Sequence, residues 1–184
     1  MKARTAAMPA DPTGPLFSGF AALDCKTSRV HFAGVIGGEG PPVLLLHGYP
    51  QSHVTWHQVG PALAEHFTVI AADLPGYGKS RVLDAGPWHK RAAGDELAAM
   101  LRSLGHDRFA VIGHDRGARV GYRLALDYPE HVSAYCSLAV VPTLDVVGWD
   151  RKAPSTRRCR LSRSVSGGFG ASRDHRRLSI SLWH

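Results

Sequence analysis

Apolar positions in this chain fall in short continuous runs, separated by glycine- and proline-rich links and by stretches of helical period. Residues 28–36 (SRVHFAGVI) and 42–47 (PVLLLH) read as strands on either side of the turn-forming Gly37-Gly38-Glu39-Gly40-Pro41. Val43, Leu44, Leu45 and Leu46 are apolar on both faces, as expected of a central strand in a parallel sheet. Residues 53–65 predict a helix with Ser52 as N-cap and Val54, Val59 and Leu63 in its apolar stripe; Pro61 marks a place where it splits or kinks. Residues 67–72 (FTVIAA) read as a second buried strand, followed by a loop over 73–80 (DLPGYGKS). Residues 90–104 predict a helix with Leu97, Met100, Leu101 and Leu104 on one side, stopped by Gly105. A third buried strand (108–113), a helix (117–127) ended by Tyr128-Pro129, and a fourth strand (133–141) complete the pattern. Strands and helices alternate through short links, so the fold class is α/β with a mostly parallel sheet.

The pattern divides the chain into a loose leader over 1–15, a folded body over 16–149 and a tail over 150–184. Charge follows the same division. The 184-residue chain is formally +7, yet residues 151–184 alone hold nine Lys/Arg against one acid, and residues 1–150 are close to neutral. The tail is also serine-rich and has no sustained period, which predicts disorder. Its basicity is not the charged face of a folded nucleic-acid domain, so neither nucleic acid nor membrane is expected as a partner. No run of 18 apolar residues is present. Three scattered cysteines (Cys25, Cys136, Cys159) make neither a disulfide framework nor a zinc site, and a cytoplasmic location is expected.

The chemistry concentrates in Val111-Ile112-Gly113-His114-Asp115-Arg116-Gly117. A buried strand runs into a small-x-nucleophile-x-small turn and then directly into a helix, the geometry of a nucleophile elbow with aspartate as the nucleophile. At a helix N-terminus the free amides and the dipole hold such a carboxylate ionised. It can attack carbon and form an ester. An aspartate here also serves as a plain helix cap, and the pentapeptide alone does not separate the two readings. A second motif does: His47-Gly48-Tyr49-Pro50 also follows a buried strand, and the Tyr49 and Arg116 amides could form an oxyanion hole. Arg116 and Arg119 lie three apart, so both guanidinium groups can face one side and suit a small carboxylate. No metal-ligand spacing and no dinucleotide fingerprint occurs, so no cofactor or metal is expected. Asp73 reads as a loop-closing acceptor, Trp56 and Trp88 as packing residues, and His47, His53, His57 and His114 as mostly structural.

The blocks HGYPQSHVTWH, DLPGYGKS and GHDRGARVGYRLALDYP together resemble the α/β-hydrolase fold, and within it the fluoroacetate or haloacetate dehalogenases. The resemblance covers about residues 15 to 149. It implies that Asp115 displaces halide from a small haloacid and that a histidine-activated water then cleaves the ester. It also implies that Arg116 and Arg119 hold the substrate carboxylate and that Tyr49 and Arg116 supply the backbone donors. Haloalkane dehalogenases and epoxide hydrolases usually carry tryptophan directly after the nucleophile, where this chain has Arg116.

Three parts of that family's machinery are not visible. The acid partner, expected three residues before Pro142-Thr143, falls on Ala139; Asp145 is nearby but lies beyond the strand end. The helical cap expected after residue 150 is missing, and no histidine takes the base role; none is carried onto His175 or His184. These departures predict a core truncated before the cap and last strands. Alternatives are an epoxide hydrolase-like enzyme or a non-enzymatic fragment whose basic tail docks on nucleic acid or an anionic membrane; a homodimer is left open. If a frame change produced the tail, the encoding DNA read in its other frames past codon 150 encodes the cap and the base histidine. Absence from both frames removes that explanation.

Overall fold

The computed structural model describes residues 14–84 and 86–140. The expectations for the leader and for the tail therefore fall largely outside the described residues. The chain divides between Gly148 and Trp149, and the described residues all belong to the first unit.

Among the described residues seven strands form one sheet: β1 (Ala21–Lys26), β2 (Val30–Gly37), β3 (Pro42–Leu46), β4 (Thr68–Ala72), β5 (Arg81–Val82), β6 (Phe109–His114) and β7 (Val132–Leu138). The helices are α1 (Val59–Ala64), α2 (Lys90–Ser103) and α3 (Arg116–Asp127), with 3-10 turns at Pro15–Phe17 and His53–Trp56. Strand order is β1-β2-β4-β3-β6-β7, with β5 pairing β2. The segment β4-β3-β6-β7 is parallel, as the alternation of elements predicts. β2 is antiparallel to β1, β4 and β5, so this edge is a hairpin ribbon.

β1 was not foreseen. Its residues alternate exposure around a single buried Leu23, and Asp24 and Lys26 interrupt any apolar run. Register with β2 makes it a strand, not hydrophobicity.

The central β3 shows why the sheet is covered on both faces. Side chains alternate along a strand, so Val43 and Leu45 point one way and Leu44 and Leu46 the other. Val43 and Leu45 pack with Phe17, Phe20, Trp56 and Val69. Leu44 and Leu46 pack with Ile70 and Val111 of the neighbouring strands and with Leu97, Met100, Leu101 and Leu124, the apolar faces of α2 and α3. Leu97, Met100 and Leu101 are fully buried, as their spacing predicts, and Gly105 follows the helix end at φ 83°. Glu96 is the exception on that face: it is buried and accepts from Thr27 Oγ1, from Ser28 Oγ at 2.8 Å and from the Arg29 amide at 3.2 Å, tying α2 to the β1–β2 turn.

The segment 53–65 differs from the expected single helix. Ser52 does cap its start, but as the cap of a 3-10 turn, and the chain breaks at His57-Gln58 instead of at Pro61. Pro61 sits in the first turn of α1, where its missing N–H has no intrahelical partner to lose. Val54 and Val59 are exposed; Trp56 and Gly60 are the buried contacts.

Two glycines set the depth at which α3 enters. A Cβ on Gly117 would stand 2.3 Å from the Leu46 carbonyl oxygen, and one on Gly113 would stand 2.5 Å from the Ala118 Cα. Gly117→Ala is expected to destabilise the fold by about 1–3 kcal/mol through overpacking against backbone that cannot yield. Denaturant titration of the two proteins, with unchanged slope and a shifted midpoint, is the check; an unchanged midpoint would contradict the close approach.

Candidate functional site

β6 ends at His114 and α3 begins at Arg116, which leaves one residue to reverse the chain. That residue is Asp115, with φ 47° and ψ −110°. A non-glycine residue in the left-handed region is strained and persists only where its surroundings over-determine it. Here the Asp115 amide donates to the Leu138 carbonyl at 3.1 Å, the Gly117 amide to the His47 carbonyl at 3.0 Å, and the Arg119 amide to the Asp115 carbonyl at 3.2 Å. The plain-cap reading is not what the structure adopts: the Asp115 side chain makes no cap hydrogen bond to its own helix.

Instead the carboxylate reaches across to the loop after β3. The Tyr49 amide donates to Asp115 Oδ2 at 3.0 Å. This bond does most to hold the carboxyl below the ordinary aspartate range; burial opposes it, and the Arg116 amide, His114 and Arg119 add to the lowering so that the net shift is downward. The loop is itself tied to the elbow. Gln51 Oε1 accepts from the Gly48 amide at 3.0 Å and from His114 Nδ1 at 3.1 Å. The Tyr49-Pro50 peptide bond is cis.

Asp115, Arg116, Arg119, Tyr49, Tyr77 and Trp88 line one cleft of about 610 Å³. Tertiary folding thus brings together all the candidate residues read from the sequence: Asp115, Tyr49, Arg116 and Arg119. The Arg116 guanidinium lies 4.6 Å over the Tyr49 ring and donates to the Tyr77 hydroxyl at 2.6 Å. Sequence reasoning passed over Tyr77, which belongs to the DLPGYGKS loop and carries no signal of its own. Trp88, read as a packing residue, is half-buried, stacks under Arg29 at 4.6 Å and also lines this cleft.

A buried polar layer lies beneath the cleft. His47 is fully buried; its Nδ1–H donates to the Gly48 carbonyl at 2.8 Å, and its Nε2 accepts from the Leu74 amide at 2.9 Å. Those two bonds define the neutral tautomer, and burial pushes the ring's pKa down. Asp73 is also fully buried. Its Oδ1 accepts from the His53 amide at 2.6 Å and the His53 ring at 2.9 Å, and its Oδ2 from the Lys79 amide at 2.9 Å. Burial pushes this carboxyl up, but the His53 bonds and the Lys79 amide outweigh it, so its net shift is downward. Among the described residues no three His, Cys, Asp or Glu side chains converge as a metal site. No helix there is long and apolar enough to cross a membrane.

Because Asp73 titrates lower folded than unfolded, its stabilising contribution is complete above the unfolded value and is lost as pH falls through the folded one. Asp73→Asn is therefore expected to cost about 2 kcal/mol at neutral pH, where one of several buried bonds is removed, and to cost less in acid. Denaturant unfolding at both pH values measures this; an equal loss in acid and at neutrality would argue against an ionised Asp73.

Residues 41–158 match the model of the alpha/beta hydrolase fold family. The chain is 42% identical over 132 residues to a fluoroacetate dehalogenase from Burkholderia sp., covering 70% of this chain and 43% of that one. It is 42% identical over 120 residues to a soluble epoxide hydrolase from Corynebacterium sp., covering 65% and 41%. A solved structure from Pseudomonas aeruginosa, provisionally assigned as an epoxide hydrolase, superposes with a TM-score of 0.70 at 52% identity, covering 73% of this chain and 46% of that one. The chain thus spans less than half the length of each of these relatives. With the parallel sheet, the elbow and the family match in agreement, the chain belongs to the α/β-hydrolase fold family.

Proposed function

We propose that the body over 16–149 carries the nucleophilic part of a hydrolase that cleaves the carbon–halogen bond of a small haloacid, of the haloacetate dehalogenase type. The observation that carries this reading is an ionised aspartate at a left-handed elbow, held by the Tyr49 amide, with two guanidinium groups on the same cleft. A neutral haloalkane or epoxide gives those cations nothing to bind, whereas a carboxylate does.

The Tyr49 amide engages Oδ2, which leaves Oδ1 to act. A lone pair of Oδ1 attacks the carbon bearing the halogen; the C–O bond forms as the carbon–halogen bond breaks, and halide leaves with the bonding pair. Arg116 and Arg119 hold the substrate carboxylate beside the reacting carbon. In the second stage water attacks the ester carbonyl carbon and a base takes its proton; the Cγ–Oδ1 bond then breaks, and the departing alkoxide, which carries Oδ1, takes the proton from the base and leaves as the hydroxyacid. The Tyr49 and Arg116 amides then face the charge that develops on Oδ2. No residue of this chain is assigned as the base. Ala139, where the resemblance expects the acid that would orient it, has no group to do so.

Epoxide opening would use the same carboxylate, and epoxide hydrolases stand among the relatives. The expected outcome with chloroacetate is one chloride per protein and a carboxymethyl ester on Asp115, located by peptide mass spectrometry, and neither with Asp115→Asn. The rate of ester formation is expected to fall at a lower pH than an ordinary aspartate would give, because the depressed pKa keeps Asp115 ionised further into acid. An adduct with styrene oxide and none with chloroacetate would transfer the reading to epoxides. Equal halide release by the Asn variant would remove Asp115 from the mechanism.

A further inference from the structure

We infer that Tyr77 is a specificity-determining positioning residue, which aims the Arg116 guanidinium at the substrate carboxylate without neutralising it. The inference rests on the carboxylate-binding role proposed for Arg116.

Arg116 is exposed at the first position of α3, where a long side chain would otherwise sample many rotamers. Two contacts restrain it. Its Nη1 donates to the Tyr77 hydroxyl at 2.6 Å, and its guanidinium carbon lies 4.6 Å over the Tyr49 ring. Both partners are neutral. The arginines that pair with carboxylates, Arg29 with Asp84 and Arg91 and Arg123 with Asp127, are elsewhere in the fold, and among the described residues no acid forms an ion pair with Arg116. A phenol oxygen uses one of five N–H donors and leaves the charge and the remaining donors for a ligand. An aspartate in its place would fill the site from within.

Tyr77 can do this because its own loop is held from beneath. Its amide donates to the Leu74 carbonyl and its carbonyl accepts from the Ser80 amide, both at 2.9 Å. The Ser80 hydroxyl donates to the Asp73 carbonyl at 2.8 Å, and the Lys79 amide to the Asp73 carboxylate. A Cβ on Gly78 would stand 2.0 Å from Asp73 Oδ2, so the loop closes tightly over that acid. The Tyr77 ring rests edge-on against the buried His47 ring at 5.5 Å and against Tyr49 at 6.4 Å. A buried acid thus holds a loop, the loop presents a hydroxyl, and the hydroxyl directs a cation at the surface.

The test measures acetate binding by calorimetry in the full chain and in Tyr77→Phe, Arg116→Gln, Arg119→Gln and the two double variants with Tyr77→Phe. Phenylalanine keeps the ring packing and removes only the hydroxyl. The expected result is a roughly tenfold weaker affinity for Tyr77→Phe, the size of one hydrogen bond to a charged group. No further loss is expected when it is added to Arg116→Gln, and a full additional loss when it is added to Arg119→Gln. A general structural defect would lower all backgrounds alike. Wild-type affinity in Tyr77→Phe, or additivity with Arg116→Gln, overturns the inference. A wild-type chain that binds no acetate overturns the carboxylate-binding reading itself, and this inference with it, before any variant is compared.

Discussion

The site depends on how closely α3 approaches the backbone leaving β3. Gly117 lies against the Leu46 and His47 carbonyls with no space for a methyl group, and Gly113 lies equally close to Ala118. A helix that enters so near the sheet, one residue after a strand, forces the intervening residue into the left-handed region. Asp115 is that residue, and the presentation of its carboxylate at the cleft follows from the geometry. The same contact sets the Tyr49 amide at hydrogen-bond distance, because the loop that carries it begins where Gly117 touches the strand end.

Charge in the cleft is arranged by what is withheld as much as by what is supplied. Asp115 is kept ionised by amides and nearby cations, while Arg116 is steadied by a phenol and an aromatic face. The acids that could have neutralised the cleft are used below it or far from it. Asp73 is consumed by His53 and Lys79, and Asp127 by Arg91 and Arg123. His47 stays neutral because burial opposes its charge and its two nitrogens are committed to opposite roles. The layer beneath the cleft is therefore a positioning layer and not a second source of reactive groups.

Much of the fold was legible from hydrophobic runs. β3, β4 and β6 are apolar on both faces because helices or turns cover both faces, and that burial writes itself into composition. β1 was not legible, since a half-exposed edge strand needs only one buried side chain and takes its identity from pairing with β2. The region 53–65 misled for a related reason. Its valines have the spacing of a helical stripe, but Trp56 is the larger apolar surface, and burying it requires a 3-10 turn at its own position followed by a break.

For the site, local sequence was sufficient wherever chemistry depends on backbone shape. Gly113, Asp115 and Gly117 announce the elbow because only glycine permits the contacts on either side of it, and the two arginines three apart announce a cationic face. Which tyrosine would accept from which arginine was decided in three dimensions alone. Tyr77 is 39 residues from Arg116 in the chain, and a neutral hydroxyl leaves no mark in charge or periodicity. The same holds for Glu96 under the β1–β2 turn and for His53 on Asp73. Short-range patterns record what a segment must bury and how its backbone must bend; the partner of a polar side chain depends on how distant segments are superposed, and only the packed sheet sets that.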